Sequence, residues 1–131
     1  MTILVAYDGS PESDRALRHA ADLVGRGGSV AVLNVIPAQA VSARLETVSD
    51  EQRAEQRRLL EAAESVLARR RVEMIPLTAA GDPTTEIRAA AERSGAGMVV
   101  VGRGNGRSRL IHGSVSRRLV RRAPCDVLIV H

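Results

Sequence analysis

Residues 3–11 read Ile3-Leu4-Val5-Ala6-Tyr7-Asp8-Gly9-Ser10-Pro11. The first five form a short apolar run, which is typical of a buried strand. The next four supply a turn, a helix cap and a proline suited to the first helical position. Downstream, apolar residues recur at the spacing of one buried helical face, at Leu17, Ala20, Ala21 and Val24. A strand therefore runs directly into a helix.

The same alternation continues to the end of the chain. Further strands are predicted at residues 30–36, 72–77, 98–101 and 127–130. The helices between them begin at a Ser49 and Gln52 capping box, after Gly81-Asp82-Pro83, and at residues 114–122. Strands alternating with helices predict right-handed crossovers and an open five-stranded parallel α/β sheet with helices on both faces. Pro76 cannot donate to a sheet ladder, which favours an edge position for the third strand.

Length and composition predict one domain, residues 1–131, because a chain of this length needs only one core. No apolar stretch approaches the roughly 18 residues of a membrane span, and no leader pattern opens the chain. We therefore expect a cytoplasmic protein without a membrane partner. Tyr7 is the one aromatic residue, so base stacking is unavailable and nucleic acid is an unlikely partner.

Basic residues are concentrated near the C-terminus. The net charge is +4, the chain has no lysine, and residues 103–122 contain seven arginines and no acid. Four of them, Arg117, Arg118, Arg121 and Arg122, form two stripes at a spacing of four on the predicted last helix. Each like-charge pair costs roughly 0.2 to 0.5 kcal/mol. The stripes are interpreted either as a solvated face or as a surface for an anion or a partner.

A glycine-rich segment follows the fourth predicted strand. It reads Gly102-Arg103-Gly104-Asn105-Gly106-Arg107-Ser108-Arg109-Leu110-Ile111-His112-Gly113-Ser114. Such a segment at a helix start suits backbone amides that converge on phosphate oxygens, aided by the helix dipole. A plain surface turn is the alternative.

Other chemistries find little support in the sequence. A Walker loop and a receiver domain both need a lysine. His19, His112 and His131 lack metal-ligand spacing, and Cys125 is predicted to be a buried structural thiol. No nucleophile and base pair is evident, so the enzyme question stays open.

Three motifs in order resemble the universal stress protein family over nearly the whole chain. They are the opening Ile3-Leu4-Val5-Ala6-Tyr7-Asp8-Gly9-Ser10, then Gly81-Asp82-Pro83, and last Gly113-Ser114-Val115-Ser116 with Ala123-Pro124-Cys125. The resemblance implies the strand order 3-2-1-4-5, in agreement with the edge position that Pro76 favours.

Nucleotide-binding members of that family carry a glycine, two residues, a glycine, nine residues and then Gly-Ser or Gly-Thr. Here the span between Gly102 and Gly113 is two residues shorter, with Gly104 and Gly106 as candidates for the middle glycine. The resemblance therefore implies a nucleotide site with a shortened loop.

Seven residues match the family's site, and the implied ligand is ATP, with or without Mg²⁺. Asp8 would accept from the adenine amino group, and Val35 would border the base. Gly102 and Gly104 would lie along the ribose and phosphates, while the phosphate tail would be held by Gly113, Ser114 and the amide of Val115. The alternatives are a turn former for Asp8 and a bare helix cap for Ser114.

Two functions remain open at this point. One is an ATP-binding regulatory or stress-response module, in which slow hydrolysis would lack an evident catalytic base. The other is a dimeric stress-response interaction protein that binds no nucleotide. A homodimer is expected through Val127-Leu128-Ile129-Val130, because an apolar edge strand is an association hazard unless it is paired.

Overall fold

A computed structural model describes residues 1–41, 47–104 and 113–131. Strands and helices alternate through these ranges as the sequence pattern predicts. In chain order they are β1 Ile3–Ala6, α1 Pro11–Val24, β2 Ser29–Pro37, α2 Asp50–Arg69, β3 Glu73–Gly81, α3 Pro83–Ser94, β4 Met98–Gly102, α4 Gly113–Arg122 and β5 Asp126–Val130. A one-turn 3₁₀ helix, Ala38–Ala40, follows β2.

The five strands form one parallel sheet in the order β3-β2-β1-β4-β5. This confirms the predicted fold and strand order. Pro76 lies in β3 at one edge, where its missing N–H is tolerated. In the register, Ala6 of β1 lies beside Leu33 of β2, and Val5 lies beside Val100 of β4.

Each face of the sheet has its own pair of helices and its own apolar core. Side chains of β1 alternate between the two faces, so Ile3 and Val5 pack with α1 and α2 while Leu4 and Ala6 pack with α3 and α4. The helices bury matching stripes, namely Leu17, Leu60 and Leu67 on the first face and Ile87, Val115 and Leu119 on the second.

Side-chain caps begin three of the helices. Ser10 caps α1 by accepting from the Ser13 amide at 3.2 Å, with Pro11 in the first turn. Ser49 and Gln52 form the predicted capping box of α2. Asp82 caps α3 by accepting from the Thr85 amide at 3.1 Å. None of the helices in the described ranges is long and apolar enough to cross a membrane.

The third strand is longer than predicted. The expectation of a strand over residues 72–77 is wrong at its end, because β3 continues to Gly81. It stays paired with β2 over this distance, from Asn34 beside Thr78 to Pro37 beside Gly81. The small residues at its end have a low intrinsic strand propensity, so pairing with β2 is what keeps them in the strand.

Cys125 differs from its prediction too. It is partly exposed rather than buried, because it lies just before the edge strand β5. Its side chain packs at the margin of the α3 and α4 core. Burial, followed by the Asp126 charge, raises the pKa of the thiol, so the neutral form is favoured.

Candidate functional site

A crevice is expected where β1 and β4 end side by side. α1 follows β1 on one face of the sheet, whereas α4 follows β4 on the other. The connections leaving these neighbouring strands therefore diverge. In open parallel sheets, ligands bind at such a point, outside the carboxyl ends of the strands.

Asp8 and Val35 lie at the same level of this edge. Each lies two residues beyond the last registered pair of β1 and β2, Ala6 and Leu33, and the Tyr7 amide donates to the Leu33 carbonyl at 2.8 Å. Val35 is 3% exposed and belongs to the α3 and α4 core. Only a small edge of it is therefore available to a ligand.

The Asp8 carboxylate forms the predicted turn. Its Oδ1 accepts from the Ser10 amide at 2.9 Å, and the Asp8 amide in turn donates to Ser13 Oγ at 3.3 Å. The residue stays partly exposed at the crevice. Asp8 thus has a local role at the start of α1, and its predicted contact with adenine would be additional to that role.

A buried amide pair joins the carboxyl ends of three strands. Asn34 Nδ2 donates to the Tyr7 carbonyl at 2.8 Å, and Gln56 Nε2 lies 3.0 Å from the Asn34 carbonyl and 3.2 Å from that of Ala79. Gln56 was not among the predicted site residues. Its burial could have been predicted from helical spacing, because Gln56 shares one buried face of α2 with Leu60, Ala63 and Leu67.

Gly102 ends β4 against the first turn of α1. A Cβ on Gly102 would lie 2.5 Å from the backbone C and O of Glu12, which is closer than real contacts allow. The absent side chain is therefore explained by packing. The predicted contact between Gly102 and a ribose is a separate matter and stays a prediction.

Gly104 and Ser114 each line a cleft. One cleft, of about 310 Å³, is lined by Glu12, Arg15, Arg103, Gly104 and His131. Another, of about 370 Å³, is lined by Ser114, Arg117, Arg118 and Arg121. Residues 105–112 lie between Gly104 and α4 in the chain and are outside the described residues. This range includes Gly106 and His112 of the predicted loop.

The start of α4 has the features of an anion site. Gly113 is its first residue, Ser114 is exposed, and Val115 is 3% exposed in the core that also contains Val35. The first amides of a helix have no intrahelical acceptor, and the helix dipole is positive at this end. Anchoring by Val115 therefore presents those amides at the carboxyl edge of the sheet.

Asp82, at the end of β3, gives a prediction on pH. Hydrogen bonds from the amide and then the hydroxyl of Thr85 lower the pKa of its carboxyl from 3.8, and Arg118 and Arg122 contribute further. Asp82→Ala should cost about 1 kcal/mol of unfolding free energy near neutral pH. A lowered folded pKa stabilises above the unfolded value, so this difference should shrink as the pH falls below 3.8.

Urea unfolding of both proteins across this pH range measures that difference. Asp126→Ala is the matched control, because Asp126 is also exposed but caps no described helix. A difference between Asp82→Ala and wild type that persisted unchanged in acid would contradict the cap assignment.

Comparisons with known proteins agree with this architecture. A profile described as the universal stress protein family matches residues 1–131. A relative named for that family, from Staphylococcus haemolyticus, is 33% identical over 98% of this chain and 82% of its own. The solved universal stress protein of Archaeoglobus fulgidus in complex with dAMP is 27% identical, with a TM-score of 0.79 over 100% of this chain and 98% of its own. A third, from Lactobacillus plantarum, has a TM-score of 0.81 at 21% identity, covering 100% and 97%.

Proposed function

Because this chain belongs to the universal stress protein family, we propose that it binds an adenine nucleotide, ATP foremost, at the crevice between β1 and β4. The observation that carries the proposal is the topology at this point, because β1 and β4 are neighbours while the helices that follow them, α1 and α4, lie on opposite faces of the sheet. The dAMP complex of the Archaeoglobus fulgidus relative supports an adenine nucleotide as the ligand class.

In this proposal, each predicted residue has one role. Asp8 accepts from the adenine amino group, and Val35 borders the base with its small exposed edge. Gly102 and Gly104 lie along the ribose and phosphates. The amides at the start of α4 hold the phosphate tail, contributed by Gly113, Ser114 and Val115. Mg²⁺ would accompany the phosphates without a proposed protein ligand.

The role we propose is regulatory, in a stress response, rather than enzymatic. The carboxylate described at the crevice, that of Asp8, accepts from the Ser10 amide, and none of the residues described there forms a base and nucleophile pair. The cytoplasmic location stays a prediction of the sequence.

A second candidate is a family member that binds no nucleotide. The shortened loop favours it. The near-complete burial of Val35 points the same way. Calorimetry decides between the two.

ATP titrated into nucleotide-free protein is expected to give a measurable heat of binding. Gly113→Val should abolish this heat, because a branched side chain at the start of α4 blocks approach to the amides. Asp8→Ala should reduce the preference for ATP over GTP. Asp8→Asn is the sharper variant, since it keeps an acceptor for the Ser10 amide but places an amide nitrogen opposite adenine.

Asp126→Ala serves as the control, because it removes an exposed carboxylate at the amino end of β5, away from the carboxyl ends of β1 and β4. It should bind ATP as the wild type does. No heat and no thermal shift with millimolar ATP, from protein shown to be folded, would favour the non-binding dimer instead.

We also propose that two copies associate through β5. It is a sheet edge whose Val127, Leu128 and Ile129 are partly exposed, whereas the other edge carries Pro76. Two-fold antiparallel pairing would satisfy the edge and bury its side chains. Light scattering should give a dimer at micromolar concentration, and Ile129→Arg should weaken it.

Ile129 also contacts the α3 and α4 core, so circular dichroism must show that the variant is folded. A monomeric wild type under the same conditions would overturn the dimer by itself.

A further inference from the structure

α4 carries four exposed arginines, at positions 117, 118, 121 and 122. Among the residues that the structure describes, no acid lies within ion-pair distance of any of them. Acidic partners lie near five other arginines, Arg15, Arg18, Arg58, Arg70 and Arg88, whereas Arg53 and Arg57 on α2 have none among the described residues. α4 is distinguished by four such arginines within six consecutive residues.

These arginines are arranged along a concave surface. The cleft of about 370 Å³ is lined by Ser114, Arg117, Arg118 and Arg121. Arginines four residues apart on a helix rise by about 6 Å, so positive charge is dense along this line. The positive end of the α4 dipole lies at the same end as Ser114.

Asp82 is an acid whose pKa these arginines affect. The hydrogen bonds from Thr85 lower the pKa of its carboxyl most, and the charges of Arg118 and Arg122 lower it further. Its carboxylate is engaged at the start of α3, at 3.1 Å from the Thr85 amide and 2.9 Å from the Thr85 hydroxyl. It therefore offsets the four cations only in part. Like charges at this spacing destabilise a helix, and an anionic ligand would reverse that effect.

The geometry selects among anions. Guanidinium groups match phosphate oxygens in paired hydrogen bonds. An extended acidic peptide places side chains of one face about 7 Å apart, so at best it offers one carboxylate for each arginine of a stripe. A single-stranded nucleic acid would need aromatic side chains for stacking, and Tyr7, the one aromatic, is buried. A continuous phosphoanhydride chain supplies the required charge density.

We propose that the cleft of α4, lined by Ser114, Arg117, Arg118 and Arg121, binds a phosphoanhydride chain longer than a triphosphate. The chain would run from the start of α4 along its outer face. The proposal rests on the proposed function in one respect, which is that a nucleoside at the end of the phosphoanhydride chain would occupy the crevice between β1 and β4. Two sources share the chemistry, free inorganic polyphosphate and a dinucleoside polyphosphate.

The test compares wild type with Arg117→Gln/Arg121→Gln, using medium-chain inorganic polyphosphate and diadenosine pentaphosphate as probes. The matched control is Arg53→Gln/Arg57→Gln, which removes two exposed arginines with the same spacing from α2. The α4 variant should bind polyphosphate at least about tenfold more weakly at moderate salt, while the α2 variant binds as wild type does. The salt dependence should also fall, by roughly 1 to 2 in logarithmic slope, because two cationic contacts are lost.

Equal weakening of polyphosphate binding in both variants would mean general charge attraction and would overturn the proposal. Absence of polyphosphate binding by the wild type would overturn it as well.

Asp8→Ala distinguishes the two sources of the phosphoanhydride chain, since it should weaken binding of the dinucleoside probe alone if a nucleoside lies in the crevice. AMP separates the two proposals. If AMP does not bind but polyphosphate binds through α4, the nucleotide function fails and the α4 site stands; the reverse result removes the α4 site only.

Discussion

Gly102→Ala is expected to lower the free energy of unfolding by about 3 kcal/mol or more. The new Cβ would meet the backbone C and O of Glu12 at 2.5 Å. Neither partner can yield cheaply, because Gly102 is held in the sheet beside Val130 and Glu12 lies in the first turn of α1. Relief requires α1 to move away from β4, which opens the core on that face.

Gly97→Ala is the matched control at the other end of β4. There the new Cβ would meet only the side chain of Met1, with Cγ at 3.1 Å, and Met1 is 79% exposed and able to move. The change in unfolding free energy should stay within about 1 kcal/mol. Urea denaturation of both variants measures the contrast, and equal stabilities would contradict the close approach at Gly102.

The result also bears on the nucleotide site. If Gly102→Ala fails to bind ATP, the clash with Glu12 already accounts for the loss, so it would not be evidence that Gly102 contacts a ribose. A variant of the phosphate-binding end, such as Gly113→Val, should instead lose ATP while keeping wild-type stability. Comparing these two glycines separates packing from ligand contact.

Gln56→Leu should lower the free energy of unfolding by about 2 kcal/mol, because carbonyls of the buried strand ends lose their donor. Gln56 Nε2 lies within hydrogen-bond distance of both the Asn34 and the Ala79 carbonyl. Leucine is similar in size and keeps the apolar contacts of α2, so the loss reports mainly on the polar contacts. Hydrogen exchange should increase at the carboxyl ends of β2 and β3.

Arg57→Leu controls for the substitution itself. Arg57 is the next residue along α2, is exposed, and has no hydrogen-bond partner among the described residues. Its replacement should change stability by less than about 0.5 kcal/mol. If Gln56→Leu were as stable as this control, the amide would be dispensable and water would satisfy the two carbonyls.

The fold was predictable because its signals are local. Strand runs, caps such as Ser10 and Ser49, and the proline at position 76 each act within a few residues, and the alternation they produce admits few sheet topologies. The family resemblance then supplied the strand order. The end of β3 was missed for the complementary reason, since residues such as Thr78 and Ala79 are ordered by their partner strand rather than by their own preference.

The candidate site was predictable only as a set of residue types at the right strand ends. Sequence alone determined that Asp8 follows the first strand and that Gly113 and Ser114 open the last helix. Tertiary structure alone decided that Val35 is almost wholly buried and that Gly102 presses on Glu12. These depend on distances between segments far apart in the chain, which packing of whole helices on the sheet sets and which local spacing does not encode.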